Sequence, residues 1–185
     1  MTTMQDSDIE LLKKISLEVP LVFVDSYPEG IDTDYVVTDN FKGAYTGTKY
    51  LIEQGAKNIC YFGGTSLPVL EDRFSGFLKA LKDHNINFSD DMYFSEVHTN
   101  EFVMKKVILS KKIDGMFIVS NNGIMEILRI LNKLNIAIPK DIKMIGFDEP
   151  LFSTEMQGDI EVVDIIKESL PYIQQSRFEM GKKAC

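Results

Sequence analysis

The chain has 185 residues, 44% of them hydrophobic and 26% charged, with a formal net charge of −8. That length allows one solid core, or one domain and part of another, and the composition excludes disordered and fibrous classes. The acidity opposes a nucleic-acid grip, which needs a basic face: Lys13-Lys14 and Lys111-Lys112 are too short for one and read as solvated helix ends.

Elements alternate almost from end to end. Residues 6–17, "DSDIELLKKISL", place Ile9, Leu12 and Ile15 on one helical stripe behind an Asp/Ser cap. "PLVFVD" is an apolar strand ending in Asp25, and "YVVTDN" a second short strand. "FKGAYTGTKYLIEQG" is a helix with Ala44, Thr48, Leu51 and Ile52 inward and Gly55 at its end. The strand "NICYFGG" runs into a glycine pair, and "LEDRFSGFLKALKDHN" gives a helix with Phe74, Phe77, Leu78 and Leu81 on one face. There follow a strand "MYFSEVH", a helix "NEFVMKKVIL", a strand "GMFIVSN", a helix "GIMEILRILNKLN", a strand "IKMIGFDE" and a further strand candidate "EVVDII". Alternation of this kind is the mark of an α/β fold: a Rossmann-like parallel sheet flanked by helices. No apolar run approaches the roughly 20 residues that span a bilayer, and "MTTMQDSDIE" has no signal pattern, so a cytoplasmic location is expected. Cys60 reads as a small buried thiol inside a strand and Cys185 is the final residue, neither with CxxC spacing.

In a parallel sheet the strands' carboxyl ends share one edge, and ligands bind there. That rim collects Gly63 and Gly64, Glu96 to His98, Ser120 to Asn122, and Asp148 with Glu149. Its chemistry does not suit catalysis. There is no G-x-S-x-G elbow; His84 reads as solvated at a helix end and His98 as incidental. Asp148 and Glu149, adjacent on an extended strand, point to opposite faces and do not jointly hold a metal. "FGGTSLP" lacks the Lys-Ser/Thr of a P-loop and the third glycine of the dinucleotide fingerprint, so no cofactor is implied. Arg73 has two readings: a surface ion pair with Glu71 or Asp72, or a planar donor fork for a hydroxyl-rich or carboxylated ligand. A rim with an Arg fork, Asn amides and a carboxylate suits a small polar molecule.

The pieces "PLVFVDS", "YVVTDNFKGAYTGTKYLIEQGAKNICYFGG", "RFSGFLKAL", "KKIDGMFIVSNN", "IPKDIKMIGFDE" and "YIQQSRFEMGKKA", in that order and spacing, resemble the effector-binding domain of LacI/GalR transcription regulators. The resemblance implies a periplasmic-binding-protein-like type I fold, two Rossmann-like lobes joined by three crossovers with a small effector between them. Residues 1–38 would be the end of the first lobe, 39–168 the second lobe, and 169–185 the start of the return crossover, so the chain is mostly the second lobe. The helix-turn-helix and the rest of the first lobe would belong to a longer protein. Carried over by motif, the effector contacts fall on Asp25, Arg73, Asn121 or Asn122, and Asp148. The family usually has Asn-Asp where this chain has Asn121-Asn122, and the segment "LFSTEMQGDIEVVDIIKES" exceeds the usual linker. The implied function is non-enzymatic sensing of a sugar or sugar-like effector, with ligand binding biasing the lobes' relative rotation. Operator DNA would be contacted only through the helix-turn-helix; a homodimer and no membrane contact are expected. The alternatives are a periplasmic-type sugar-binding protein of an uptake system, which shares the fold, and a doubly wound enzyme using the same rim.

Overall fold

Backbone groups of short apolar strands need partners that water cannot supply, and here parallel ladders supply them. The computed structural model describes residues 6–95, 105, 108–110, 112–119 and 121–147. In chain order the elements are α1 (Asp6–Glu18), β1 (Val22–Val24), β2 (Asp34–Val36), α2 (Asn40–Glu53), β3 (Ile59–Phe62), α3 (Pro68–Asp83), a 3-10 turn (Asp90–Met92), β4 (Tyr93–Phe94), β5 (Gly115–Ile118), α4 (Asn121–Lys133) and β6 (Lys143–Gly146). β1 and β2 pair in parallel as a two-stranded sheet of their own. The other four strands form a parallel sheet in the order β4-β3-β5-β6.

Side-chain alternation along these strands divides the core in two. Cys60, Phe62, Met116, Ile118 and Met144 face α4, meeting Ile124, Ile127, Leu128 and Leu131, with Ile108 on the same side. Ile59, Tyr61, Phe117 and Ile145 face α2 and α3, meeting Ala44, Leu51, Phe77 and Leu81. With helices covering both faces, every residue of β3 and β5 is buried. The valines of β1 and β2, Val22, Val24 and Val36, stay exposed.

Two small residues set the distance between layers. A Cβ on Gly76 would lie 2.2 Å from the Phe41 carbonyl oxygen, so only glycine lets the backbones of α2 and α3 touch. A Cβ on Gly47 would lie 3.0 Å from the Phe117 ring, which seats α2 directly on the sheet.

The elements arrive where the apolar periodicity puts them, with differences at their ends. α3 starts at Pro68, whose fixed φ suits the first helical position and which has no amide hydrogen to leave unpaired. The second strand was expected to run through Asn40 but stops at Val36, because Asp39 caps α2 by accepting from the Lys42 amide at 2.9 Å. β5 likewise stops at Ile118, and Asn121 is the first residue of α4 rather than a strand end. Of "NEFVMKKVIL", residues 105, 108 and 109 are described and helical. Asp148, Glu149, residues 96–98, Ser120 and "EVVDII" lie outside the described residues.

Candidate functional site

From β3 the chain passes to β4 on one side and then to β5 on the other, so the connections diverge between β3 and β5. That divergence is the topological switch point, where doubly wound sheets leave a crevice. Ladder bonding extends one residue past the strands to build its edge: Gly63 donates to Phe94 O at 2.8 Å, Val119 to Phe62 O at 2.9 Å and Phe147 to Ile118 O at 2.9 Å. Gly63 is required here, since it has φ 155° and a Cβ on it would lie 1.8 Å from Val119 Cγ2.

Arg73 occupies this edge. It is only 7% exposed, which removes the reading of a surface ion pair with Glu71 or Asp72. Its Nε donates to Asn40 Oδ1 at 2.8 Å and its Nη1 to the Val119 carbonyl at 3.2 Å. The guanidinium carbon lies 3.7 Å from the centroid of the Phe147 ring, a cation–π contact. An amide, a carbonyl and a ring from three different elements thus fix the guanidinium plane at the carboxyl ends of β5 and β6. A pre-oriented fork of this kind loses little entropy when it engages a hydroxyl or carboxylate.

Asn40 is the residue of this edge that sequence reasoning missed. It is 2% exposed, and its Nδ2 donates to the Thr38 carbonyl at 2.9 Å while its Oδ1 holds Arg73. A signal existed: "DN" at the start of an apolar helix, with the Asp as cap, leaves the Asn inside the helix facing its neighbour. Next to Arg73, partial burial raises the Asp72 carboxyl above its ordinary pKa, and the Asp39 charge adds to the shift.

Beneath Arg73 lies an aromatic row. Tyr61 stacks between Tyr93 at 5.8 Å and Phe117 at 6.0 Å, with Phe74 edge-on at 4.8 Å. Among the described residues its buried hydroxyl has no hydrogen-bond partner. Burial drives its pKa well up, against a smaller downward pull from the Arg73 charge.

Asp25 closes β1 in the left-handed region, φ 75°, a conformation Asp tolerates. Its amide donates to Val36 O at 2.9 Å, its side chain is exposed, and among the described residues it makes no hydrogen bond or ion pair with Arg73. The loop beyond it does reach α3. Tyr27 stacks on Tyr35 at 4.0 Å. Its hydroxyl pKa is raised by burial first, then by the hydrogen bond with Tyr35, with the charge of Asp72 contributing. Asn121 and Asn122 open α4 just past the end of β5, in keeping with a place on the rim; their side chains, like Asp148, lie outside the described residues.

A separate groove of about 470 Å³ is lined by Thr65, Glu71, Phe74, Ser75, Phe88, Asp90 and Tyr93, on the β4 side of the sheet. Neither Asp25 nor Arg73 is among the described residues that line it. His84 is half-buried rather than solvated, its Nδ1 lying 2.8 Å from the Ala80 carbonyl at the end of α3. Among the described residues no group of three His, Cys, Asp or Glu side chains is placed to hold a metal, and no helix is long and apolar enough to cross a membrane.

A parallel doubly wound sheet, covered by helices on both faces and edged by a fixed Arg fork at its switch point, defines an α/β ligand-binding lobe. Comparison with known proteins gives it a family: residues 48–158 match the family described as a periplasmic binding protein-like domain, and the chain belongs to it. Its curated relatives include an HTH-type transcriptional repressor, PurR, of Vibrio atlanticus, 26% identical over 90% of this chain and 48% of that protein. The chain spans about half the length of the curated relatives it matches. Among solved structures, the transcription regulator CcpA of Lactococcus lactis superposes with a TM-score of 0.69 at 19% identity, covering 97% of this chain and 69% of that one. A transcriptional regulator CelR–cellobiose complex gives a TM-score of 0.67 at 19% identity, covering 92% of this chain and 56% of that one. The resemblance to LacI-type regulators carried by the six motifs is borne out by these relatives, and the periplasmic-binding-protein-like fold by the superpositions.

Proposed function

We propose that this chain is the small-molecule-sensing part of a LacI-type transcription regulator and that its rim takes a sugar or sugar-like effector. The observation that carries the reading is Arg73, a buried guanidinium pinned at the switch point by Asn40, Val119 and Phe147. A cation held this way is costly to bury, and a planar ligand-facing fork is a physical reason to keep it there. The cellobiose complex of a structurally similar regulator supports the ligand class. That the curated relatives are repressors favours a regulator over a sugar-binding protein of an uptake system.

In this reading residues 1–38 close the first lobe, 39–168 form the second, and 169–185 begin the return crossover. Asp25, one of Asn121 and Asn122, and Asp148 join Arg73 around the effector. Binding biases the two lobes' relative rotation in a homodimer, and operator DNA is met only by a helix-turn-helix outside this chain. The domain senses and does not catalyse, in the cytoplasm.

The test is titration of the full-length regulator, both lobes present, with cellobiose, D-ribose and D-glucose by calorimetry, beside its Arg73→Lys variant. One of the sugars should bind, and the lysine variant should lose about 1.5–3 kcal/mol of binding energy, the range for hydrogen bonds to a charged group. Silence of all three sugars, or full affinity in Arg73→Lys, would sink the reading.

A further inference from the structure

The main-chain link from β2 to α2, residues 37–39, runs from the two-stranded sheet to the second lobe, and one side chain joins it to the rim. Asn40 accepts from Arg73 Nε at 2.8 Å through Oδ1 and donates from Nδ2 to the Thr38 carbonyl at 2.9 Å. Both ends of the carboxamide are therefore used, one on the effector-binding cation and one on the connecting segment. Burial of Asn40 and Arg73 keeps water from competing for either bond. α2 and α3 pack backbone to backbone at this point, since Gly76 lies against the main chain of Phe41, the residue next to Asn40.

We infer that Asn40 is a positioning residue: it holds the Arg73 fork in the plane a ligand meets, and it passes displacement between Arg73 and the β2–α2 link. The inference rests on the effector-binding reading of Arg73 and adds the route by which a bound effector biases the first-lobe strands. A ligand pulling on the guanidinium loads the Asn40 bond, and the same amide loads Thr38. An apolar residue at this place would fill the space and break both connections. Aspartate separates them, because its carboxylate still accepts from Nε but opposes the Thr38 carbonyl with a second acceptor.

The experiment is proton–nitrogen NMR of the isotope-labelled full chain, with the Arg73 Nε–H signal assigned by its loss in Arg73→Lys. In the wild type this proton exchanges slowly, and Arg73→Lys shifts the Asp39 amide, which follows the Thr38 carbonyl. Asn40→Ala should speed Nε–H exchange by about 10- to 100-fold, the equivalent of one hydrogen bond to a charged group. Asn40→Asp should keep exchange slow while the Asp39 amide stops responding to Arg73→Lys. Unchanged exchange in Asn40→Ala overturns the positioning role, and an Asp39 amide that still responds in Asn40→Asp overturns the coupling. If Asn40→Ala does not fold, Asn40→Asp alone decides, since fast exchange in it would remove the positioning role as well. Cellobiose titration of the full-length regulator separates the two readings: a wild type that ignores the sugar counts against the sugar assignment, and the ligand-free spectra still decide the role of Asn40.

Discussion

Replacing Gly76 by alanine tests whether the contact between α2 and α3 builds the site as well as the core. The new methyl would sit 2.2 Å from Phe41 O, 3.0 Å from Phe41 C and 3.1 Å from Tyr45 N, all backbone atoms that no rotamer change can move. Ordinary contact between non-bonded heavy atoms lies near 3.5 Å, so α2 must retreat by roughly 1 Å. Asn40 precedes Phe41 and Arg73 lies one turn before Gly76, so the same retreat stretches their 2.8 Å bond toward the limit of a hydrogen bond. Alanine gains about 1 kcal/mol of helix propensity. Against it stand about 1–3 kcal/mol of overpacking and about 1.5–3 kcal/mol for the strained bond to a charged group. The net expectation is a loss of about 1.5–5 kcal/mol, read from urea denaturation followed by circular dichroism, together with faster Arg73 Nε–H exchange. Gly64→Ala is the control: its Cβ would meet nothing nearer than 3.9 Å, and it should change stability by no more than about 0.5 kcal/mol. A Gly76→Ala protein as stable as the wild type would refute the close-contact argument and the link from it to Arg73.

Tyr61→Phe removes a buried hydroxyl that has no partner among the described residues, and should raise stability by about 1 kcal/mol or more in urea denaturation; destabilisation would show that the hydroxyl is satisfied. Burial pushes the Cys60 thiol up to about 12, so iodoacetamide at mildly alkaline pH should leave Cys60 unmodified in the folded chain and label it in urea, as located by peptide mass spectrometry. Asp72 has a raised folded-state pKa, so its stability contribution is present below the ordinary carboxylate pKa and is lost as pH rises through the folded value. Asp72→Asn should therefore melt slightly higher than the wild type at neutral pH, with the difference closing on acidification; a gap independent of pH would assign it to another cause. In hydrogen exchange, the amides joining β1 to β2 should open locally and exchange before those of β3, β5 and β6, because the valines of the first pair are exposed and the second set is covered on both faces. Equal protection in both sheets would show that β1 and β2 unfold only with the main core.

The order of elements was legible because two periods dominate the chain. Ile59–Phe62 and Gly115–Ile118 are apolar throughout, as strands covered on both faces must be, and Phe77 and Leu81 recur at helical spacing in α3. The ends were less legible where one residue type serves two purposes. "TDN" reads equally well as the tail of a strand and as the start of a helix, and capping decided it: Asp39 bonds the Lys42 amide, so the helix claims Asn40. "VSNN" divides in the same way, with Asn121 and Asn122 taken into α4.

Legibility of the site follows the same physics one level up. That strand ends gather on one rim depends only on parallel winding, and the residues at those ends could be named from sequence. What Arg73 does there could not be, because its partners Asn40 and Val119 stand 33 and 46 positions away and meet it only through tertiary packing. Within its own helix the nearest charges are Glu71 and Asp72, and local reasoning offers them as partners. Docking α3 on α2 through Gly76 turns Arg73 inward instead, onto an amide, a carbonyl and an aromatic ring. Held by an amide, a carbonyl and a ring, the guanidinium keeps one plane, and a pre-oriented fork loses less entropy on engaging an anionic or hydroxyl-rich group than a mobile surface arginine would. The glycine that brings two helices into contact is therefore also what makes this arginine suited to a ligand.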